Sequence, residues 1–183
     1  MYKVITLFLG LFIYANGQAQ QTILVPADYS TIQGAIDAAN SGTTILVAPG
    51  TYFESLVWPE DIDGIKLISE MGQEQTIIDG GGTKRVLLME GNYPLNDIQT
   101  LTSQTEINGF TIQNGEVRNE NGAGMRISDA SPKLHNLIVK GNVATGESCS
   151  GAGAMLDGFG GEIQNCTFID NTITTTSRSY GQD

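Results

Sequence analysis

Chemistry in this sequence would have to come from its acids. The chain holds 20 Asp and Glu against 9 Lys and Arg and a single His. β-Elimination from a uronate needs carboxylates to hold Ca²⁺ against the sugar acid, and a base to take the proton beside its carboxylate. The candidate carboxylates are Asp129, Glu147, Asp157, Glu162 and Asp170, and the arginines are Arg85, Arg118, Arg126 and Arg178. No column of the sequence stacks two or three acids. Asp157 and Asp170 fall on neighbouring strands of one repeat, where they can approach each other, and Arg126 is the candidate base. Glycoside hydrolysis needs two carboxyl groups roughly 5–9 Å apart across the sugar. Asp61 and Asp63, just before Gly64, read instead as a solvated turn. His135 falls at a solvent-facing turn and suits a surface role. Cys and His show no metal-ligand spacing, and no Gly-Gly-x-Gly-x-Asp array is present. No metal or cofactor is therefore expected, Ca²⁺ being the one ion the acidic balance would suit.

Composition narrows what can position these groups. Of 183 residues, 16% are charged and 23 are Gly, with a net charge of −11. Coiled coils and helical bundles need charged helix formers on their outer faces, so both are excluded. No basic stripe is available to neutralise phosphates, which argues against nucleic acid as partner. A hydrophobic share of 40% excludes wholesale disorder. The acidic excess itself reads as solubility.

The first residues read as an address. Lys3 precedes an apolar run from Val4 to Ala15, and Gly17 and Ala19 supply small side chains two apart. This is the pattern of a secretory signal peptide over 1–19, too short to span a membrane. The mature chain is then expected to be secreted or held at the cell surface. Export permits disulfides. Cys149 and Cys166 could form one bridge, but a loop thiol at Cys149 and a buried thiol at Cys166 fit better.

Residues 20–42 read as an opening strand and a helix. Thr22 to Val25 is a short β-type run. Ser30 with Gln33 forms a capping-box pattern, and Ile32, Ala35, Ile36 and Ala39 make one apolar face. The helix is expected over 31–40, with Gly42 as its left-handed C-terminal residue. From residue 43 onward strands recur with Gly, Asn and Asp between them.

Self-similarity then sets the architecture. Gly122-Ala123-Gly124 recurs as Gly151-Ala152-Gly153, and Gly141-Asn142 as Asp170-Asn171, both at an offset of 29. Ile107, Leu134 and Ile163 form one apolar column. Phe110, Leu137 and Cys166 form a second, and Ile112, Val139 and Phe168 a third. Gly109, Asn136 and Asn165 form a turn column between the first two, where stacked Asn side chains can hydrogen-bond along the axis. Repeats that bury their faces only by stacking make a parallel β-solenoid. Asn165-Cys166-Thr167 also fits a glycosylation sequon, inside the repeat core.

These residues carry a resemblance. Val25 to Ala39 (VPADYSTIQGAIDAA), Ile45 to Glu54 (ILVAPGTYFE) and Thr76 to Gly80 (TIIDG) resemble the opening coils of the pectin-lyase-like superfamily. The Gly-Ala-Gly elements and Phe168-Ile169-Asp170-Asn171 resemble polymorphic outer-membrane and adhesin-type repeats. The resemblance spans nearly all of 22–175. It implies an all-β, right-handed parallel β-helix with a short N-terminal capping α-helix, its coils filling 43–183. It leaves activity open, because that superfamily hosts lyases, hydrolases, esterases, epimerases and adhesins. The pectin-esterase catalytic segments have no counterpart here. The expected function is an exported β-helix repeat module, non-catalytic, serving adhesion, surface display or contact with cell-surface polysaccharide. The alternative is the N-terminal part of a polysaccharide lyase or other pectin-active enzyme. The repeat phase begins a new coil at Gly181, so the coils are expected to continue beyond 183.

Overall fold

A computed structural model describes residues 21–92 and 100–175. The signal-like segment 1–19 and the glycine element at Gly181 lie outside the described residues. Strand β1 (Thr22–Val25) and helix α1 (Ile32–Asp37) open the chain. The first coil contributes β2 (Thr44–Val47), β3 (Gly50–Phe53) and β4 (Leu56–Val57). The second contributes β5 (Lys66–Ser69), β6 (Thr76–Asp79) and β7 (Leu87–Glu90). The third adds β8 (Glu106–Asn108), β9 (Thr111–Gln113), β10 (Glu116–Arg118) and β11 (Met125–Ser128). The fourth adds β12 (Lys133–His135), β13 (Ile138–Lys140), β14 (Val143–Thr145) and β15 (Ala154–Asp157). The fifth supplies β16 (Glu162–Gln164), β17 (Thr167–Ile169) and β18 (Thr172–Thr174).

Like strands of successive coils pair in parallel. They build a six-stranded wall (β1-β2-β5-β8-β12-β16), a five-stranded wall (β17-β13-β9-β6-β3), a four-stranded wall (β15-β11-β7-β4) and a three-stranded strip (β10-β14-β18). This is the stacked parallel β-helix that the repeat predicts. One register runs the length of the six-stranded wall. Ile45 faces Leu67, Leu67 faces Ile107, then come Leu134 and Ile163, so successive coils take 22, 40, 27 and 29 residues.

The predicted columns form the core. Ile107, Leu134, Phe110, Leu137, Ile112 and Val139 are buried, Ile45, Leu67, Leu87 and Met89 extend the same core toward the start of the chain, and Ile127 joins it from the four-stranded wall. In the fifth coil Ile163 and Phe168 hold the same columns but are exposed, since no described coil stacks upon them.

Asparagine stabilises the coil in two places. At the turn column, Asn136 and Asn165 have φ of 51° and 53°, and Gly109 has 86°. Asn165 donates to Asn136 Oδ1 (3.3 Å), and Asn136 donates to Asn108 Oδ1 (2.8 Å), because Gly109 offers no side chain. The second column is buried at Asn142 and half-buried at Asn171. Asn142 accepts at Oδ1 from Gly115 N (2.8 Å) and donates through Nδ2 to Ile112 O (3.2 Å) and Asn171 Oδ1 (2.9 Å). Asn171 in turn donates to Val139 O (2.9 Å). This amide column stands between the main core and a small cluster of Val117, Ala123, Ala144 and Ala152. It also explains the Gly-Ala-Gly motif. A Cβ on Gly124 would meet Asn142 Nδ2 at 2.8 Å, and one on Gly153 would meet Asn171 Nδ2 at 2.9 Å.

The capping helix differs from expectation in its ends. Ile32, Ala35, Ile36 and Ala39 are buried as predicted, and the helix packs on β1, β2 and β4. The N-cap, however, is Thr31 and not Ser30, with Thr31 Oγ1 accepting from Gly34 N at 3.1 Å. The next amides, Ile32 N and Gln33 N, donate to the Glu54 carboxylate, each at 2.9 Å. A carboxylate from the β3–β4 turn thus satisfies donors that a capping box would have served. Gln33 turns outward instead. Its amide accepts from Val57 N (2.8 Å) and donates to Val57 O (3.0 Å), pairing with β4 as a strand would. The helix closes on Ala38 before Gly42, whose φ of 81° serves the turn into β2.

Candidate functional site

A polar groove of about 770 Å³ lies at the head of the six-stranded wall. Along that wall one outward column reads Thr44, Lys66, Glu106, Lys133, Glu162 in register. Opposite charges alternate from coil to coil, so neighbours attract where a single sign would repel. Lys66, Glu106 and Lys133 line the groove, together with the α1–β2 turn at 40–43 and with Ser103 and Gln104.

Asp63 fixes that rim. Its Oδ1 accepts from Gly64 N (2.8 Å), Thr102 N (2.9 Å) and Thr105 Oγ1 (2.9 Å), and its Oδ2 accepts from Thr102 Oγ1 (2.6 Å). The solvated turn expected at Asp61 and Asp63 is therefore half wrong. Asp61 is exposed, but Asp63 clamps the segment that carries Ser103 and Gln104. Burial alone would raise the Asp63 pKa, yet the hydrogen bonds from Thr102, Thr105 and Gly64 outweigh it and hold the carboxyl below its usual value. A carboxyl depressed in the folded state contributes stability that is complete above the unfolded pKa of about 3.9. That contribution drains away as pH falls through the folded value. Asp63→Asn is thus expected to cost about 1 kcal/mol at about pH 7 and to lose less than wild type on acidification to about pH 3. Urea midpoints at both pH values check this, and parallel acid losses would refute it.

His135 sits on β12, not at a solvent-facing turn, and its side chain is 17% exposed. Nδ1 lies 3.5 Å from Glu106 and Nε2 lies 3.8 Å from Glu162, so the ring is held between acids of the coils before and after it. Nε2 is buried without a hydrogen-bond partner.

Of the three candidate catalytic residues, Arg126 and Asp157 lie on paired strands of one wall, two register positions apart, and Asp170 lies on neither strand. Arg126 faces Leu88 and Met155 on the four-stranded wall, as the repeat alignment predicts for Met155, and lies 3.7 Å from Glu90. Asp157 ends β15, at the corner leading to the six-stranded wall. Asp170 follows β17, at the corner leading to the three-stranded strip, with a φ of 53° that fits a turn residue. Two walls separate the acids along the coil, which corrects the expectation that they approach. Cys149 and Cys166 are both free thiols. Cys149 packs against the small alanine cluster, and Cys166 continues the Phe110–Leu137 column. Burial pushes the Cys166 thiol up, which disfavours its thiolate.

The groove therefore offers ammonium groups, one carboxylate, hydroxyls and amides on a rigid frame. That is a set for binding a hydroxyl-rich ligand, with two cations for any acidic substituent. Its residues escaped the sequence reading because Lys66, Glu106 and Lys133 lie in coils of unequal length. Among the described residues no helix is long and apolar enough to cross a membrane. The family described as "Protein of unknown function (DUF1565)" matches residues 15–180. No curated protein and no solved structure gives a significant match.

Proposed function

We propose, from the premise that this chain belongs to the DUF1565 family, that it is an exported, non-catalytic β-helix module of pectin-lyase-like type. It contacts cell-surface polysaccharide through the groove at the head of the six-stranded wall. The Lys66–Glu106–Lys133 ladder carries this reading, because it sets charged heads one coil apart beside a hydroxyl- and amide-bearing rim. Coils stack at about 4.8 Å, a spacing on the scale of one sugar ring. The signal-like first residues and the opening-coil resemblance support export and superfamily.

Gel retardation in immobilised polygalacturonate tests the binding. Wild type is expected to be retarded, and Lys66→Ala/Lys133→Ala to lose about tenfold in affinity, or about 1.4 kcal/mol. No retardation of wild type, or equal retardation of the double variant, would sink the proposal. Incubation with polygalacturonate and Ca²⁺ tests the non-catalytic part. Appearance of unsaturated product would favour the lyase alternative.

A further inference from the structure

A second groove runs where the five-stranded wall turns into the three-stranded strip, and it shares no lining residue with the first. Two adjoining hollows, of about 440 and 240 Å³, meet at Phe53. Phe53 ends β3, on the edge of its wall, and is 75% exposed. A lone exposed apolar side chain is ordinary. Phe53 and the glycines Gly81, Gly82, Gly115 and Gly141 line the larger hollow together, and backbone without side chains leaves a shallow trough there.

The polar wall of the trough is rigid. Asp79 faces Phe53 in the strand register. Its Oδ1 accepts from Gly81 N (2.8 Å), and its Oδ2 accepts from Gln113 (2.7 Å) and Asn114 (2.8 Å). Asn114 donates its amide there, which leaves its Oδ1 on the side of Gly141. Glu116 completes the wall and pairs with an exposed Arg118 at 3.2 Å. An exposed aromatic face beside a few fixed acceptors is the arrangement of a ligand site built for orientation.

We infer that this trough binds a neutral pyranose, the sugar stacking a C–H face on Phe53 while its hydroxyls donate to Asn114 and Glu116. The charges choose the ligand class. Asp79 and Glu116 repel an acidic sugar, while Lys84, which lines the smaller hollow, and Arg118, paired with Glu116, disfavour a cationic one. The site goes beyond the proposed groove and gives the coil two glycan contacts on different corners.

Titration of the full chain with cellohexaose, followed by chemical-shift perturbation, tests it. Wild type is expected to show saturable shifts confined to residues around Phe53, 79–82 and 114–116. Phe53→Ala is expected to weaken binding about tenfold and Phe53→Tyr to retain it, with the spectrum outside the trough unchanged in both. Lys66→Ala/Lys133→Ala is expected to bind cellohexaose as wild type does, which separates this site from the first groove. No shifts with cellohexaose, or equal binding by Phe53→Ala, would overturn the inference.

Discussion

Asn142→Ala is expected to lose about 3–5 kcal/mol, a large share of the stability of an ordinary domain. The cost lies in the polar groups left behind. Truncation removes the acceptor of Gly115 N and the donor to Ile112 O, both buried, and each stranded group costs about 1–3 kcal/mol. It also removes one of the two donors to Asn171 Oδ1, which joins this coil to the next. Asn142→Asp is expected to do no better. It keeps the acceptor for Gly115, but it sets a buried charge against Ile112 O and Asn171 Oδ1. The exposed Asn165 provides the contrast. Its side chain makes one 3.3 Å bond at the fifth coil, so Asn165→Ala is expected to cost about 1 kcal/mol or less. Urea midpoints of the three variants decide it, and a small loss for Asn142→Ala would show that the buried column is dispensable.

Gly115→Ala is expected to cost about 3 kcal/mol or more. A Cβ there would land on the carbonyl of Ala123 and within 2.9 Å of Asn142 Oδ1. The first obstacle is backbone of a strand-bearing segment, so it yields only by prising the coil open. Gly72→Ala isolates the other way a glycine can matter. Gly72 has a φ of 85° and open space around its missing Cβ, so only conformational strain of about 1–2 kcal/mol is expected. Thermal melts of the two variants rank the effects, and a larger loss for Gly72→Ala would show that backbone strain outweighs the steric clash.

The sequence made the coil legible because its strongest signal was a column, and columns are what stacking preserves. Ile107, Leu134 and Ile163 pair as the repeat predicts, and the left-handed Asn136 and Asn165 sit at the predicted turn. What escaped was any contact that leaves its column. Glu54 caps a helix 22 residues back, and Gln33 pairs with Val57 of β4 rather than with its helix N-cap. Asn142 was visible as a repeated residue, but its role needs Gly124, which lies on a different face of the coil. The candidate acids failed for a related reason. Asp157 and Asp170 are near in sequence, yet corners at opposite ends of two walls hold them apart. The Lys66–Glu106–Lys133 ladder was hidden by spacing, since one of its steps spans 40 residues and the next 27.

That unequal spacing has an evolutionary meaning. Coils of 22 and 40 residues share one unbroken ladder on the six-stranded wall. Lengthening a coil therefore changes its perimeter at a corner and leaves every rung above and below in phase. A lineage can enlarge or trim the rim of a groove by insertion and deletion without re-solving the fold. Loop closure makes such insertions inexpensive, at about 0.6 kcal/mol for each doubling of length. Surface specificity in such a chain can drift quickly while its interior stays fixed.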